Sequence, residues 1–190
     1  MNLPNFLTII RMGLVPVFIV FFYLGQKDIV LYSILAFAVF VAASATDAVD
    51  GHIARKRGQI TNFGKLMDPL ADKVLTTAAL IVLVDVHVVA AWMVIVILAR
   101  EFLITGLRGV AASEGVVIPA EFSGKLKTAF QMTAICFILL DNALWKGGAV
   151  TGFGAFVHIT GIILLWAAVV ITVYSGVEYL WKGRKLLNLK

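Results

Sequence analysis

The sequence predicts an all-α integral membrane protein of six transmembrane helices with both termini in the cytoplasm. Three observations predict it. The 190 residues are 61% hydrophobic and only 14% charged, with a mean hydropathy of +0.99, whereas soluble domains carry about 25% charge. The apolar residues fall in runs long enough to cross a bilayer. The basic residues are also divided unevenly between the two ends of those runs. One side collects Arg11, Arg55, Lys56, Arg57, Lys65, Lys73, Arg100, Arg108, Lys125, Lys127, Lys182, Arg184, Lys185 and Lys190, and the other only Lys27 and Lys146. Lys and Arg accumulate on the cytoplasmic side of membrane proteins, so the active face is expected there. Charge confined to short connections does not fit a nucleic-acid surface, and no nucleic-acid partner is expected. Cys136 is the sole cysteine, so no intrachain disulfide can form. The N-terminus has no cationic leader with a cleavage site, and the first span is expected to serve as the insertion signal. No repeat, low-complexity tract or second domain is visible, so residues 1–190 are read as one membrane domain.

The first span is expected over Leu7–Leu24, with a bend at Pro16. Asn5, Thr8 and Arg11 precede or open it at three-residue spacing, which makes a polar ridge on one helix face. Taken alone, that ridge reads as interfacial capping and snorkelling. After a turn at Gln26-Lys27-Asp28, a second helix is expected over Ile29–Arg57. Its first 18 residues, to Thr46, carry no charge and span about 27 Å, which leaves Asp47 and Asp50 near one membrane face. A turn around Gly58–Thr61 leads to a third helix from Asn62 to Val84, with Pro69 in its early turns. His87 follows in a turn and reads as a solvated surface residue. The fourth span is expected over Val88–Ala112, the fifth over Phe122–Leu140 and the sixth over Phe153–Leu180, ahead of a basic tail.

The chemistry concentrates between Asp47 and Asp72. An ionisable group within a membrane segment costs roughly 2.5–3.5 kcal/mol on insertion scales, so four carboxylates in one short stretch need a reason. Asp47, Asp50 and Ala54 share one face of the second helix, and Gly64, Asp68 and Asp72 share one face of the third. The short polar connection makes the two helices antiparallel neighbours, so the four carboxylates face one another. Bare carboxylates so placed would repel and take up protons unless divalent cations lay between them. Oxygen ligands without Cys or His favour Mg²⁺ or Mn²⁺, and the pattern is read as a site for two ions.

Paired cations suit phosphoryl chemistry, because they neutralise a pyrophosphate and clamp an in-line displacement. Gly51, Ala54 and Gly64 leave room beside the carboxylates for a bulky group such as a nucleotide, and Arg55 can fork onto a phosphate. Arg100, Arg108, Lys125 and Lys127 exceed what the acids would neutralise once metals bind, which points to a second anionic substrate. A mouth set in the bilayer points to a lipid as one of the substrates. Each basic group also has a plainer reading. Arg55-Lys56-Arg57 can be topogenic, Lys125 and Lys127 can snorkel, and Arg100 can pair with Glu101. A divalent-cation transporter would also use carboxylates on paired spans, though near the midplane and between repeats.

The run Asp47-x-x-Asp50-Gly51-x-x-Ala54-Arg55, eight residues, Gly64-x3-Asp68-x3-Asp72 resembles the signature of the CDP-alcohol phosphotransferases, with no departure at any fixed position. That resemblance implies a six-span membrane enzyme, commonly a homodimer. It would use Mg²⁺ or Mn²⁺ to move a phosphoalcohol from a CDP-alcohol to an acceptor hydroxyl, releasing CMP. It implies that Asp47, Asp50, Asp68 and Asp72 hold the metals, with Asp72 also the catalytic base. Gly51, Ala54, Arg55 and Gly64 would line the CDP-lipid site.

Further stretches resemble a bacterial branch of that family whose substrates are CDP-diacylglycerol and sn-glycerol 3-phosphate. They are Pro4-Asn5-x-x-Thr8-x-x-Arg11, Phe63 to Lys73, Ala99-Arg100-Glu101-Phe102 with Thr105-Gly106-Leu107-Arg108, and Gly124-Lys125-x-Lys127-Thr128. The branch resemblance moves Asn5 and Thr8 to the CDP-lipid site. It moves Arg11, Arg100, Arg108, Lys125 and Lys127 to the acceptor's phosphate. The expected location is the bacterial inner (plasma) membrane, with the site facing the cytoplasm. Serine, inositol phosphate or a lipid alcohol are the alternative acceptors.

Overall fold

The computed structural model describes the backbone of residues 3–57, 62–113, 122–146 and 152–183. Side chains at 3–7, 47–57, 62–69, 72, 145–146 and 182–183 lie outside the described residues. The described residues form six helices and no strand: α1 Leu3–Gly25, α2 Val30–Arg57, α3 Asn62–Asp85, α4 Ala91–Ser113, α5 Phe122–Lys146 and α6 Gly152–Gly183. Helices of this composition satisfy every backbone polar group internally, as a lipid environment demands. Two of them contain a stretch long and apolar enough to cross a membrane unaided, Thr8–Gly25 and Gly152–Trp181, while Val30–Thr46 is apolar but shorter. In α3, α4 and α5 charged residues such as Lys73, Arg100, Glu101 and Lys127 stand inside the helix and shorten its apolar stretch.

The end bonds are specific. After α3, the His87 N–H donates to the Val84 carbonyl (2.9 Å) and the Val88 N–H to the Leu83 carbonyl (3.0 Å), with His87 left-handed at φ 60°. This double bond closes the helix and delays α4 to Ala91, three residues beyond the expected start. Asp28, at φ 62°, turns the chain between α1 and α2. Pro16 lies inside α1 without ending it. α5 runs six residues past Leu140, because the Asp141 carboxylate pairs with His158 Nδ1 of α6 at 2.7 Å and so belongs to a helix–helix contact.

α1 packs on α2 and α3, α2 also on α3 and α5, α5 on α6, and α6 on α4. The core is mostly apolar, with Ser33, Thr76, Gln131, Thr172 and Ser175 buried alongside. Phe18 stacks obliquely on Phe22 and Phe40 (centroids 6.0 and 5.7 Å apart), and Leu75, Leu80, Leu83, Ile97, Ile135 and Leu139 fill the middle. The α5–α6 seam depends on Gly161. A Cβ there would meet Ile138 Cγ1 at 3.1 Å and Phe137 Cβ at 3.3 Å, so a small residue lets the helices close. Outside, Leu31, Ile34, Ile81, Ile95, Phe102, Phe156, Ile163 and Val170 stand exposed on several helices. So much outward apolar surface suits lipid contact and would be a liability in water.

Cross-helix contacts sort the ends. The start of α1, the end of α2, the start of α3, the end of α4, the start of α5 and the end of α6 gather at one pole, through the contacts described next. At the opposite pole Tyr23 donates to Asp85 Oδ2 at 2.9 Å, and Asp141 meets His158.

Candidate functional site

The polar pole is built from every helix. On α1, Thr8 and Arg11 sit one turn apart and are each only 1% exposed. Arg11 Nε donates to the Ala43 carbonyl of α2 at 3.3 Å. Ala43 lies one turn before Asp47, so this contact fixes α1 beside the carboxylate-bearing end of α2. α2 packs against α3. Asp47 and Asp50 lie in the last turns of α2, and Asp68 and Asp72 in the first half of α3. The side chains of all four aspartates lie outside the described residues, as do those of Asn5, Gly51, Ala54, Arg55 and Gly64.

The same pole carries basic residues from α3, α4 and α5. Lys127 of α5, 1% exposed, donates to Glu101 Oε1 of α4. The plainer reading, in which Glu101 pairs with Arg100, does not describe this contact. Adjacent helix residues point about 100° apart, and Glu101 instead finds a partner 26 positions away. Lys127 does not snorkel, since its ammonium is enclosed between helices. Arg100 is wedged between glycines: a Cβ on Gly124 would lie 3.4 Å from its Nη2, and one on Gly176 would lie 3.3 Å from its Cγ. Lys73, next to Asp72, donates to Thr105 Oγ1, which donates on to the Glu101 carbonyl at 2.7 Å. Ser123 Oγ donates to Glu178 Oε2 at 3.1 Å and ties α5 to α6.

Not every expected residue joins this group. Arg108 is exposed, two turns beyond Glu101 on the same α4 face, so it sits at the rim. Lys125 is also exposed, and two positions along a helix turn it about 200° from buried Lys127. The two lysines therefore do not converge on one point. Sequence reading missed Lys73 and Thr105 as cross-helix partners, although both stand in the runs that carried the resemblance.

A model of the CDP-alcohol phosphatidyltransferase family matches residues 1–174. The chain belongs to that family. Proteins named CDP-diacylglycerol–glycerol-3-phosphate 3-phosphatidyltransferase are similar along nearly the whole length. The one from Bacillus subtilis (strain 168) is 42% identical over 98% of this chain and 99% of its own. The one from Rickettsia typhi is 40% identical over 94% of each. The one from Haemophilus influenzae is 37% identical over 100% of this chain and 98% of its own. The chain is accordingly an enzyme of the CDP-alcohol phosphatidyltransferase family.

Family members work with divalent metals, and the donor chemistry here fits that requirement. The four aspartates offer oxygen alone, two on each of two packed helices, as Mg²⁺ or Mn²⁺ prefers. Among the described residues no group of three His, Cys, Asp or Glu side chains gathers. Arg11 of α1, Arg100 of α4 and Lys127 of α5 stand at the same pole.

Proposed function

We propose that this chain transfers the phosphatidyl group of CDP-diacylglycerol to sn-glycerol 3-phosphate, giving phosphatidylglycerophosphate and CMP. The observation that carries the proposal is similarity of 37–42% along almost the entire chain to proteins bearing that activity in their names. The buried cationic wall supports an acceptor that is itself an anion. Asp47, Asp50, Asp68 and Asp72 would hold two divalent ions, which when bound neutralise the pyrophosphate and the departing CMP. Asp72 takes the proton from the acceptor hydroxyl as that oxygen attacks the lipid-side phosphorus. The bond from that phosphorus to the CMP oxygen breaks, and CMP leaves with the electron pair. Gly51, Ala54, Arg55, Gly64, Asn5 and Thr8 line the CDP-lipid side in this proposal. Arg11, Arg100 and Lys127 face the acceptor's phosphate, and exposed Arg108 and Lys125 draw the anion to the mouth.

In the same proposal all six helices span a bacterial inner (plasma) membrane, the polar pole and both termini face the cytoplasm, and two copies associate. Fourteen of the sixteen basic residues on one side support that orientation. Purified protein given CDP-diacylglycerol and a panel of acceptors should release CMP with sn-glycerol 3-phosphate. Release with serine, inositol phosphate or a lipid alcohol instead would replace the acceptor, and metal uptake into nucleotide-free proteoliposomes would favour a transporter.

Arg108→Ala is the cleanest test of the mouth, because an exposed side chain can be removed without stranding a buried partner. It is expected to raise the KM for glycerol phosphate about 10-fold, the worth of one charge-assisted hydrogen bond. The KM for CDP-diacylglycerol should stay within about twofold. Equal rises in both would take Arg108 out of acceptor capture.

A further inference from the structure

On α5, Gly124, Lys127 and Gln131 fall within about 60° of one another. The first two already define where that face looks. Gly124 lies against the Arg100 guanidinium, and Lys127 bonds Glu101, both on α4. Yet among the described residues α4 and α5 do not pack backbone to backbone; α4 rests on α3 and α6, and α5 on α2, α3 and α6. Side chains alone cross the space between them. Gln131 continues the same face one turn deeper, as Ile97 does on α4 below Glu101.

Gln131 is 2% exposed, and its Oε1 has no hydrogen-bond partner among the described residues. Its neighbours along α5 are Ala134, Ile135 and Ile138, all buried and apolar. A buried amide oxygen without a partner is destabilising, and methionine would fill the same volume without that penalty. Packing therefore gives no reason for glutamine here, whereas a hydroxylated ligand does.

We infer that Gln131 is a specificity-determining residue whose carboxamide hydrogen-bonds the second, non-reacting hydroxyl of a polyol-phosphate acceptor. This deepens the proposed function and rests on it. The phosphate binds at the Arg100 and Lys127 level, and a three-carbon chain descends one helical turn to Gln131. A carboxamide both donates and accepts, and so does a hydroxyl, so the pair forms in either amide orientation. An acceptor lacking that hydroxyl leaves the amide buried and unpaired, and the site rejects it.

The test compares sn-glycerol 3-phosphate with 3-hydroxypropyl phosphate, which keeps the phosphate and a primary hydroxyl but lacks the middle one. Wild type is expected to favour the natural acceptor by about 100-fold in kcat/KM, a modest value for a site built to bond a substrate hydroxyl. Gln131→Met should bring the ratio to within about threefold while thermal stability holds or rises. A Met variant that keeps the wild-type ratio, or a wild type that shows none, would overturn the inference and leave the proposed function standing. Failure of wild type to release CMP with sn-glycerol 3-phosphate would overturn both. Should Gln131→Met not accumulate in membranes, Gln131→Asn carries the test, since it draws the amide back by one methylene. A reduced ratio supports the inference, and an undiminished one contradicts it.

Discussion

Asp72→Asn is expected to lower turnover by about 10³-fold or more, with CDP-diacylglycerol binding largely retained. General-base removal alone is worth about 10²–10⁴. The amide keeps the shape of the carboxylate but cannot take the acceptor's proton, and as a metal ligand it is weaker. The helix tolerates the change, because Asp72 lies inside α3 and Asn has the same number of non-hydrogen atoms. CMP release under saturating substrates and equilibrium binding of the CDP-lipid measure the two quantities separately. A near-normal rate would remove Asp72 from the mechanism; loss of lipid binding in step with rate would make it a binding residue instead.

The second large effect concerns stability. Glu101→Leu removes the α4 partner of the enclosed Lys127 ammonium, and breaking one side of a buried ion pair costs about 3–5 kcal/mol. Thermal inactivation in detergent should therefore move down sharply. Replacing both partners, Glu101→Leu with Lys127→Met, should recover most of that loss, because an apolar pair of similar volume carries no desolvation penalty. Acceptor turnover should nonetheless stay low in the double variant, since the cationic wall has lost a member. If the double variant is as unstable as the single one, the pair is not the source of the loss.

Much of this fold was legible because membrane helices write themselves as apolar runs. The order of six helices and most of their ends follow from where charge begins and stops. The failures have physical causes. Asp141-Asn142 looked like punctuation, yet Asp141 is a partner for His158, and a satisfied acid can sit inside a helix. The start of α4 was misplaced because a histidine, with no glycine to announce it, holds the left-handed closing position after α3. Sequence adjacency offers Arg100 as a partner for Glu101, whereas helical geometry turns neighbours apart and the partner comes from α5. Spacing put Asp47 and Asp50 on the second helix and Asp68 and Asp72 on the third, where α2 and α3 run. The same spacing turns Lys125 and Lys127 about 200° apart, which reading them as one pair overlooks. Nor does a lone glutamine in an apolar run attract notice until Gly124 and Lys127 reveal which way its face looks.

The most direct measurement is a crystal structure of the protein grown with Mn²⁺ and CDP-diacylglycerol, with anomalous scattering recorded for manganese. Manganese peaks bracketed by Asp47, Asp50, Asp68 and Asp72, with the pyrophosphate against them and the Lys127 side across the cavity, are the expected result. Carboxylates turned away from each other or bound to Arg and Lys, with manganese elsewhere, would contradict it.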